Sequence, residues 1–311
     1  MVSIPEASVA IILVNWNGFE FTKACLDSLR KVDYPDFRVI LVDNASKNQE
    51  GERLAKAFPE IELIQNSENL GFAGGNNKGI RKALDQGFSY LMLLNNDTIV
   101  ELDFLGQMIR KFGQNSRLGV VQPLICFLHD HTQIWSAGGK WNSFLGRAIT
   151  LGDRKPVDNF NLTDRNLDWA TGCCMLITRE ALLKTGLLNE SYFTYFEDVE
   201  WSLRFREKGF EIALAAEAKI YHEAGASSKK KHSEGTLSPR VFYYHVRNQF
   251  FLLRSQVHGF ATPFAWTYHS FRFLAWISYF CLRGRFQKLK SVAHGLKDGI
   301  TLPLQKPEQW H

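Results

Sequence analysis

The sequence predicts an α/β protein built on a mixed, mostly parallel sheet with helices on both faces. Two observations carry that prediction. Over the first hundred residues continuous apolar runs alternate with helical patterns, which is how strands buried on both faces read. Each apolar run also ends in Asn, Asp or Gly, as expected where such a sheet gathers a ligand at the carboxyl ends of its strands. At 311 residues and 45% hydrophobic, the chain can build one large domain, or one domain and an appendage.

The elements follow in order. "VAIILV" (9–14) is the first strand and "FTKACLDSLRKV" (21–32) the helical pattern after it. "FRVILVD" (37–43) and "IELIQN" (61–66) are strands separated by a short helix at "ERLAKAF" (52–58). "NNKGIRKALDQG" (76–87) is a helix closed by Gly87, and "SYLMLLNND" (89–97) is the fourth strand. Next, "VELDFLGQMIRKF" (100–112) predicts a helix and "LGVVQPLI" (118–125) a strand. Residues 129–166 are long, polar and Gly-rich, typical of a mobile binding loop or lid. "ATGCCMLITREALLKTG" (170–186) gives a strand and a short helix. "FEDVEWSLRFREKG" (196–209) is an amphipathic helix ending on Gly209, and "EIALAAEAKIYHEAG" (211–225) predicts a strand pair. No internal repeat is present, and "SSKKKHSEG" (227–235) is the best boundary, dividing 1–232 from 233–311.

Five cysteines, an odd number without Cys-x-x-Cys or paired His spacing, exclude a disulfide framework and a structural zinc site and suit a reducing cytoplasm. The N-terminal stretch carries Glu6 and no basic region, so it reads as a strand rather than a secretory signal. Charge is divided. Of 37 Lys and Arg and 32 Asp and Glu, residues 226–311 hold 13 and 3, leaving 24 and 29 for the rest. An acidic body with a basic, aromatic-rich tail implies different partners for the two parts.

The candidates for chemistry sit at the strand ends. Asp97, beside Asn95 and Asn96, suits a hard cation such as Mg2+ or Mn2+ bridging phosphate oxygens; it equally suits a turn. Asp43 and Asn44 stand where a base or ribose edge could be read, or form a turn before a helix, and "NWNG" brings Asn15 and Asn17 to the same edge. "ENLGFAGGNN" (68–77) combines Gly71, Gly74 and Gly75 with Asn69, Asn76 and Asn77. Glycines let backbone approach a ligand, and a helix starting near Asn76 offers free N–H groups to an anion. Glu197 and Asp198 lie among Phe193, Tyr195, Phe196 and Trp201, where a carboxyl can be raised in pKa and act as a general base. Acidic residues are also favoured at a helix N-terminus by its dipole. His222 is a metal ligand if an ion lies nearby and structural otherwise.

"IILVNWNG", "LVDNAS", "NLGFAGGNN", "LLNND", "TGCCMLITREAL", "YFEDVEWSLRFREKG" and "IYHEAGAS" resemble, in order and rough spacing, family 2 glycosyltransferases. The nearest likeness is to the bacterial rhamnosyltransferase-like branch that builds surface polysaccharides. It runs from about Val9 to Ser227 and includes "YYHVRN" (243–248), about three quarters of the chain. The resemblance implies the GT-A fold over 1–232, with 233–311 a helical appendage. It implies inverting, metal-dependent transfer of a sugar from a dTDP- or UDP-linked donor to a saccharide or lipid-linked acceptor. Carried over by position, Asp97 is the metal-binding carboxylate, with Asn95 where the family's Asp-x-Asp motif begins. Asp43 contacts the base, Asp198 in the Glu197–Asp198 pair is the catalytic base, and His222 ligates the metal. Where relatives read Gly-Phe-Asp, this chain has Leu187, Leu188 and Asn189, a departure expected to alter acceptor contacts.

Such chemistry needs one base facing the anomeric carbon opposite the leaving group, and a cation to offset charge on the departing diphosphate. Two other classes share parts of this pattern. A sugar-phosphate nucleotidyltransferase would want Gly with Arg and Lys after the first strand, where this chain has "NWNG". A non-catalytic carbohydrate-binding relative would not need Asp97, Asp198 and His222 together.

In the tail, "FATPFAWTYHSFRFLAWISYFCL" (260–282) has the length to span a bilayer, but Arg272, His269 and Pro263 weaken that reading. Aromatics beside Lys and Arg suit a helix lying on anionic lipid, which places the protein in the cytoplasm at the inner face of the membrane. The alternative is packing on the core or on a second subunit in a homodimer. Nucleic acid is not expected.

Overall fold

The computed structural model describes residues 8–161, 163, 166–224 and 234–309. The boundary at 232/233 and the end of "IYHEAGAS" lie outside the described residues.

Strands β1 (Val9–Asn15), β2 (Phe37–Asp43), β3 (Glu62–Gln65) and β4 (Tyr90–Asn95) alternate with helices α1 (Phe19–Leu29), α2 (Glu50–Ala57) and α3 (Gly71–Asp85). These four strands are parallel and lie in the order β3-β2-β1-β4. The chain therefore leaves β1 in one direction and returns on its other side. That reversal opens a crevice beyond the ends of β1 and β4, the place where such sheets bind ligands.

The sheet continues through β5 (Thr98–Val100), β6 (Leu118–Phe127), β7 (Asp130–Ser136), β10 (Asn166–Leu167), β11 (Cys174–Thr178) and β12 (Glu211–His222). β11 runs antiparallel between β4 and β6, and β12 lies parallel to β6. Helices α4 (Phe104–Phe112), α5 (Arg179–Thr185) and α6 (Glu197–Glu207) complete the body. Val9, Ile11 and Leu13 pack on one face with α1, α2 and α4, while Ala10 and Ile12 pack on the other with α3, α5 and α6. Burial on both faces is why these strands read as unbroken apolar runs. A Cβ on Gly79 would sit 2.5 Å from Ile12, so only glycine lets α3 lie this close to β1.

Three expectations are corrected. Residues 129–166 hold β7, the ribbon β8 (Gly139–Asn142) and β9 (Arg147–Thr150), and β10, rather than one long loop. Residues 211–222 form one strand with an irregularity between Ala215 and Lys219, not a strand pair. Leu187 and Leu188 are buried in the core rather than facing an acceptor.

The tail folds as α7 (Pro239–Gln256), α8 (Ala261–Leu282) and α9 (Phe286–Thr301) around a core of its own that includes Val246, Phe250, Leu253 and Phe273. Among the described residues no helix is long and apolar enough to cross a membrane. The tail is bonded to the body: Gln249 donates to Gly146 O (3.0 Å), and Leu187 N to Glu308 O (3.0 Å).

Candidate functional site

Register brings the strand ends together. Asn15 stands beside Asp43, Val14 beside Asn95, and His222 opposite Thr98. The backbone stitches the crevice shut at its base. Asn95 N donates to Cys173 O (2.8 Å) and Glu223 N to Asp97 O (2.9 Å).

On one side of the crevice the polar side chains are committed to each other. The Asn15 amide donates to Asp43 Oδ2 (2.9 Å), Ser46 Oγ (3.0 Å) and Glu50 Oε2 (3.1 Å), and its Oδ1 accepts from the Thr22 hydroxyl (2.7 Å). Asp43 is fully buried, its Oδ1 accepting from Ser46 N and Gln65 Nε2, both at 2.8 Å. Asn17 accepts from Lys47 N (2.9 Å), and Asn96 donates to the Thr22 hydroxyl (2.7 Å). Asn44 donates to Gly71 O and Asn69 accepts from Gly71 N, both at 2.8 Å. Asn77 reaches the loop after α5, donating to Leu188 O and Glu190 Oε1 (2.9 Å each) and accepting from Leu188 N (3.1 Å). Helix α3 begins at Gly71, earlier than the Asn76 expected from sequence, with Gly74 in its first turn. Gly71 has φ +72°, and a Cβ there would lie 2.5 Å from Phe193 O. These groups hold the rim together, as buried polar groups do when satisfied.

The other side is different. His222 Nε2 lies 3.1 Å from Asp97 Oδ1, and both residues are largely buried. Yet Asp97 Oδ1 and His222 Nδ1 have no hydrogen-bond partner. The Trp135 ring meets the imidazole edge-on at 4.4 Å. Such orphaned buried atoms cost about 1–3 kcal/mol each unless something completes them. Among the described residues no third His, Cys, Asp or Glu joins the pair.

Glu197 and Asp198 open α6 nearby. Asp198 accepts from Gly172 N (2.9 Å) and Val199 N (2.8 Å), and Thr171 also hydrogen-bonds to it. Burial raises the Asp198 pKa above the ordinary carboxylate value, while these hydrogen bonds oppose the rise. Glu197 is 5% exposed with Oε2 unpartnered, and burial, then the charge of Asp198, push its pKa well up. Burial likewise lifts the Cys173 thiol, with the charges of Asp97 and Asp198 adding to it, so both carboxylates lie within electrostatic reach of one side chain.

A cleft of about 200 Å³ is lined by Trp135, Ser136, Thr150, Asp153, Trp169 and Thr171. Of these, Trp135 packs on His222 and Thr171 hydrogen-bonds to Asp198. The segment leading to Asp198 is strained. Phe193 (φ 62°, ψ −57°) is the centre of a γ-turn closed by Thr194 N to Tyr192 O (2.7 Å). Tyr195 and Phe196 both have φ 71°, and such non-glycine conformations cost about 1–3 kcal/mol each and gather at functional sites.

Sequence reasoning missed Trp135 and Trp169, which no pattern distinguishes from core aromatics. It also missed Gly172, which acts through its backbone N–H, although "TGCC" was among the matched stretches.

The family model "Glycosyl transferase family 2" matches residues 10–186. The low-salt glycan biosynthesis hexosyltransferase Agl10 of Haloferax volcanii is 26% identical over 78% of this chain and 74% of its own length. The N-acetylglucosaminyl-diphospho-decaprenol L-rhamnosyltransferase of Mycobacterium tuberculosis is 22% identical over 83% of this chain and 88% of its own. Among solved structures, the mannosyltransferase PcManGT of Pyrobaculum calidifontis, in complex with GDP-Man and Mn2+, overlays 96% of this chain and 76% of its own at 14% identity and TM-score 0.56. That likeness shows the fold, which is GT-A. From sheet, crevice and family match together, the chain belongs to glycosyl transferase family 2 and resembles its rhamnosyltransferase branch.

Proposed function

We propose that this glycosyltransferase moves a sugar, rhamnose by likeness to its relatives, from a dTDP- or UDP-linked donor to a saccharide or lipid-linked acceptor of a surface polysaccharide. The observation that carries the reading is a cleft whose Trp135 packs on His222, the neighbour of Asp97, and whose Thr171 hydrogen-bonds to Asp198. A buried carboxylate oxygen without a hydrogen bond, 3.1 Å from an imidazole nitrogen, fits a divalent cation, Mg2+ or Mn2+. When bound, the ion supplies charge that offsets what gathers on the departing diphosphate.

The chain's own residues do the rest. Asp198 takes the proton of the acceptor hydroxyl as that oxygen bonds to the anomeric carbon. The bond from that carbon to the diphosphate oxygen breaks, and its electron pair leaves with the nucleoside diphosphate. One displacement inverts the carbon. Glu197, with Oε2 buried and unpartnered, keeps its proton, while the backbone donors Gly172 N and Val199 N favour the ionised form of Asp198. A raised pKa suits a base working near neutrality. Membership of the family sets aside the nucleotidyltransferase reading. Asp198→Asn should lower kcat by about 10²–10⁴-fold with nucleotide binding retained. Wild-type protein that binds nucleotide but turns over no nucleotide sugar would favour the carbohydrate-binding reading instead.

The tail points to a lipid surface. From Pro239 to Lys297 there is no Asp or Glu against nine Arg and Lys, and Phe264, Phe271, Leu274 and Leu282 are exposed along α8. Apolar side chains beside cations fit the anionic inner leaflet, where a lipid-linked acceptor would be met. The protein should co-sediment with phosphatidylglycerol vesicles and not with phosphatidylcholine, and Phe271→Ser with Leu274→Ser should abolish it. Dissociation of a dimer by the same change, without vesicle binding in the wild type, would assign the face to a second copy.

A further inference from the structure

Helix α7 reaches the strained segment before Asp198 from outside the body. Asn248, with no exposed surface, donates its amide to Tyr192 O (2.9 Å), Thr194 O (2.7 Å) and Tyr195 O (2.8 Å). Arg247 donates to Ser191 O (2.8 Å) and Tyr192 O (2.7 Å), and its Nε donates to Asn248 Oδ1 (2.8 Å). Because the guanidinium only donates, Oδ1 must be the atom facing it, so the amide nitrogen is the one facing the three carbonyls. The segment's other side is held by α3, whose Phe72 N and Ala73 N donate to Phe193 O (2.7 and 3.2 Å). On α7, Gln249 then holds the β8–β9 ribbon through Gly146 O (3.0 Å). One helical turn of the tail therefore grips both the segment that aims α6 and the ribbon that leads into the cleft.

Phe193, Tyr195 and Phe196 do not choose positive φ unaided. Their neighbours' carbonyls turn inward, where only a fixed donor keeps them from the cost of burial unpaired. Phe196 is the residue from which α6 starts, and Asp198 lies in its first turn on Gly172 N. We propose that Asn248, oriented by Arg247, is a positioning residue for Asp198, so that the C-terminal helices are part of the catalytic architecture. This inference rests on Asp198 being the base.

The test uses the full chain and three variants: Asn248→Asp, Asp198→Asn and the double variant. Asn248→Asp keeps the side chain's shape and puts an oxygen against three oxygens. The readouts are UDP or dTDP release from the matching nucleotide sugar with water as acceptor, and stoichiometry and Kd for UDP or dTDP with Mn2+. Asn248→Asp should lose about 10²-fold in kcat, the scale of a small misplacement of a reacting group, with nucleotide Kd and stoichiometry kept within about twofold. In the Asp198→Asn background it should cost nothing more, because both act through one group. Should Asn248→Asp fail to fold, Asn248→Ser, which retains one hydroxyl donor, is read by the same criteria. Wild-type kcat in the Asn248 variant, or losses that multiply in the double variant, would overturn the positioning role. Wild-type kcat in Asp198→Asn alone would instead remove the base itself.

Discussion

The two sides of the crevice use the same residue types to opposite ends. At the β1–β2 side, Asn15, Asp43, Asn44 and Asn77 answer every bond within the protein. At the β4–β12 side, Asp97 Oδ1, His222 Nδ1 and Glu197 Oε2 are buried and unanswered. A satisfied buried network stabilises and fixes shape; an unsatisfied one costs stability and persists where a ligand or a proton completes it. Residue identity and strand-end position therefore do not distinguish the satisfied side from the unsatisfied one; hydrogen-bond completeness does.

Substitutions should split along this line. Asn77→Ala strips Leu188 N and O of their partners and should cost about 1–3 kcal/mol, read as a lower denaturation midpoint. Asp97→Ala removes a carboxylate whose Oδ1 accepts no hydrogen bond and meets only His222 Nε2, and should lower the midpoint less than Asn77→Ala does. Equal losses in both would erase the distinction.

The carboxyl pair sharpens it through pH. Glu197 and Asp198 are raised in the folded chain, so it holds protons at pH values where the unfolded chain has released them. Stability should therefore fall as pH rises from the ordinary carboxylate range towards the raised native values. Glu197→Gln cannot ionise and should flatten that slope and raise the midpoint at neutral pH. A wild-type curve flat across this window would contradict the burial of an unpaired Glu197.

The parallel half was legible because strands covered on both faces are apolar throughout, and Gly71 marked where backbone comes close. The second half was not. β8 and β9 form a two-stranded ribbon of mixed, part-exposed residues between Gly139 and Thr150, so no alternation marks them. β5 is three residues long and fell between the expected strand at 89–97 and the expected helix at 100–112. Asp97, Asp198 and His222 were singled out because few residue types can hold a cation or take a proton from a hydroxyl. The closed side looked equally chemical, since Asn and Asp at a strand end carry no sign of whether their bonds are met. Asn248 was invisible in another way: it acts on backbone carbonyls 53 to 56 residues away, which have no sequence.

The most direct measurement is binding of UDP and dTDP by calorimetry, with and without Mn2+, in the wild type and in Asp97→Ala. Metal should tighten binding of one nucleotide in the wild type, and that gain should vanish in Asp97→Ala while metal-free binding stays. A metal gain that survives Asp97→Ala, or binding indifferent to metal in the wild type, would contradict an ion held between Asp97 and His222.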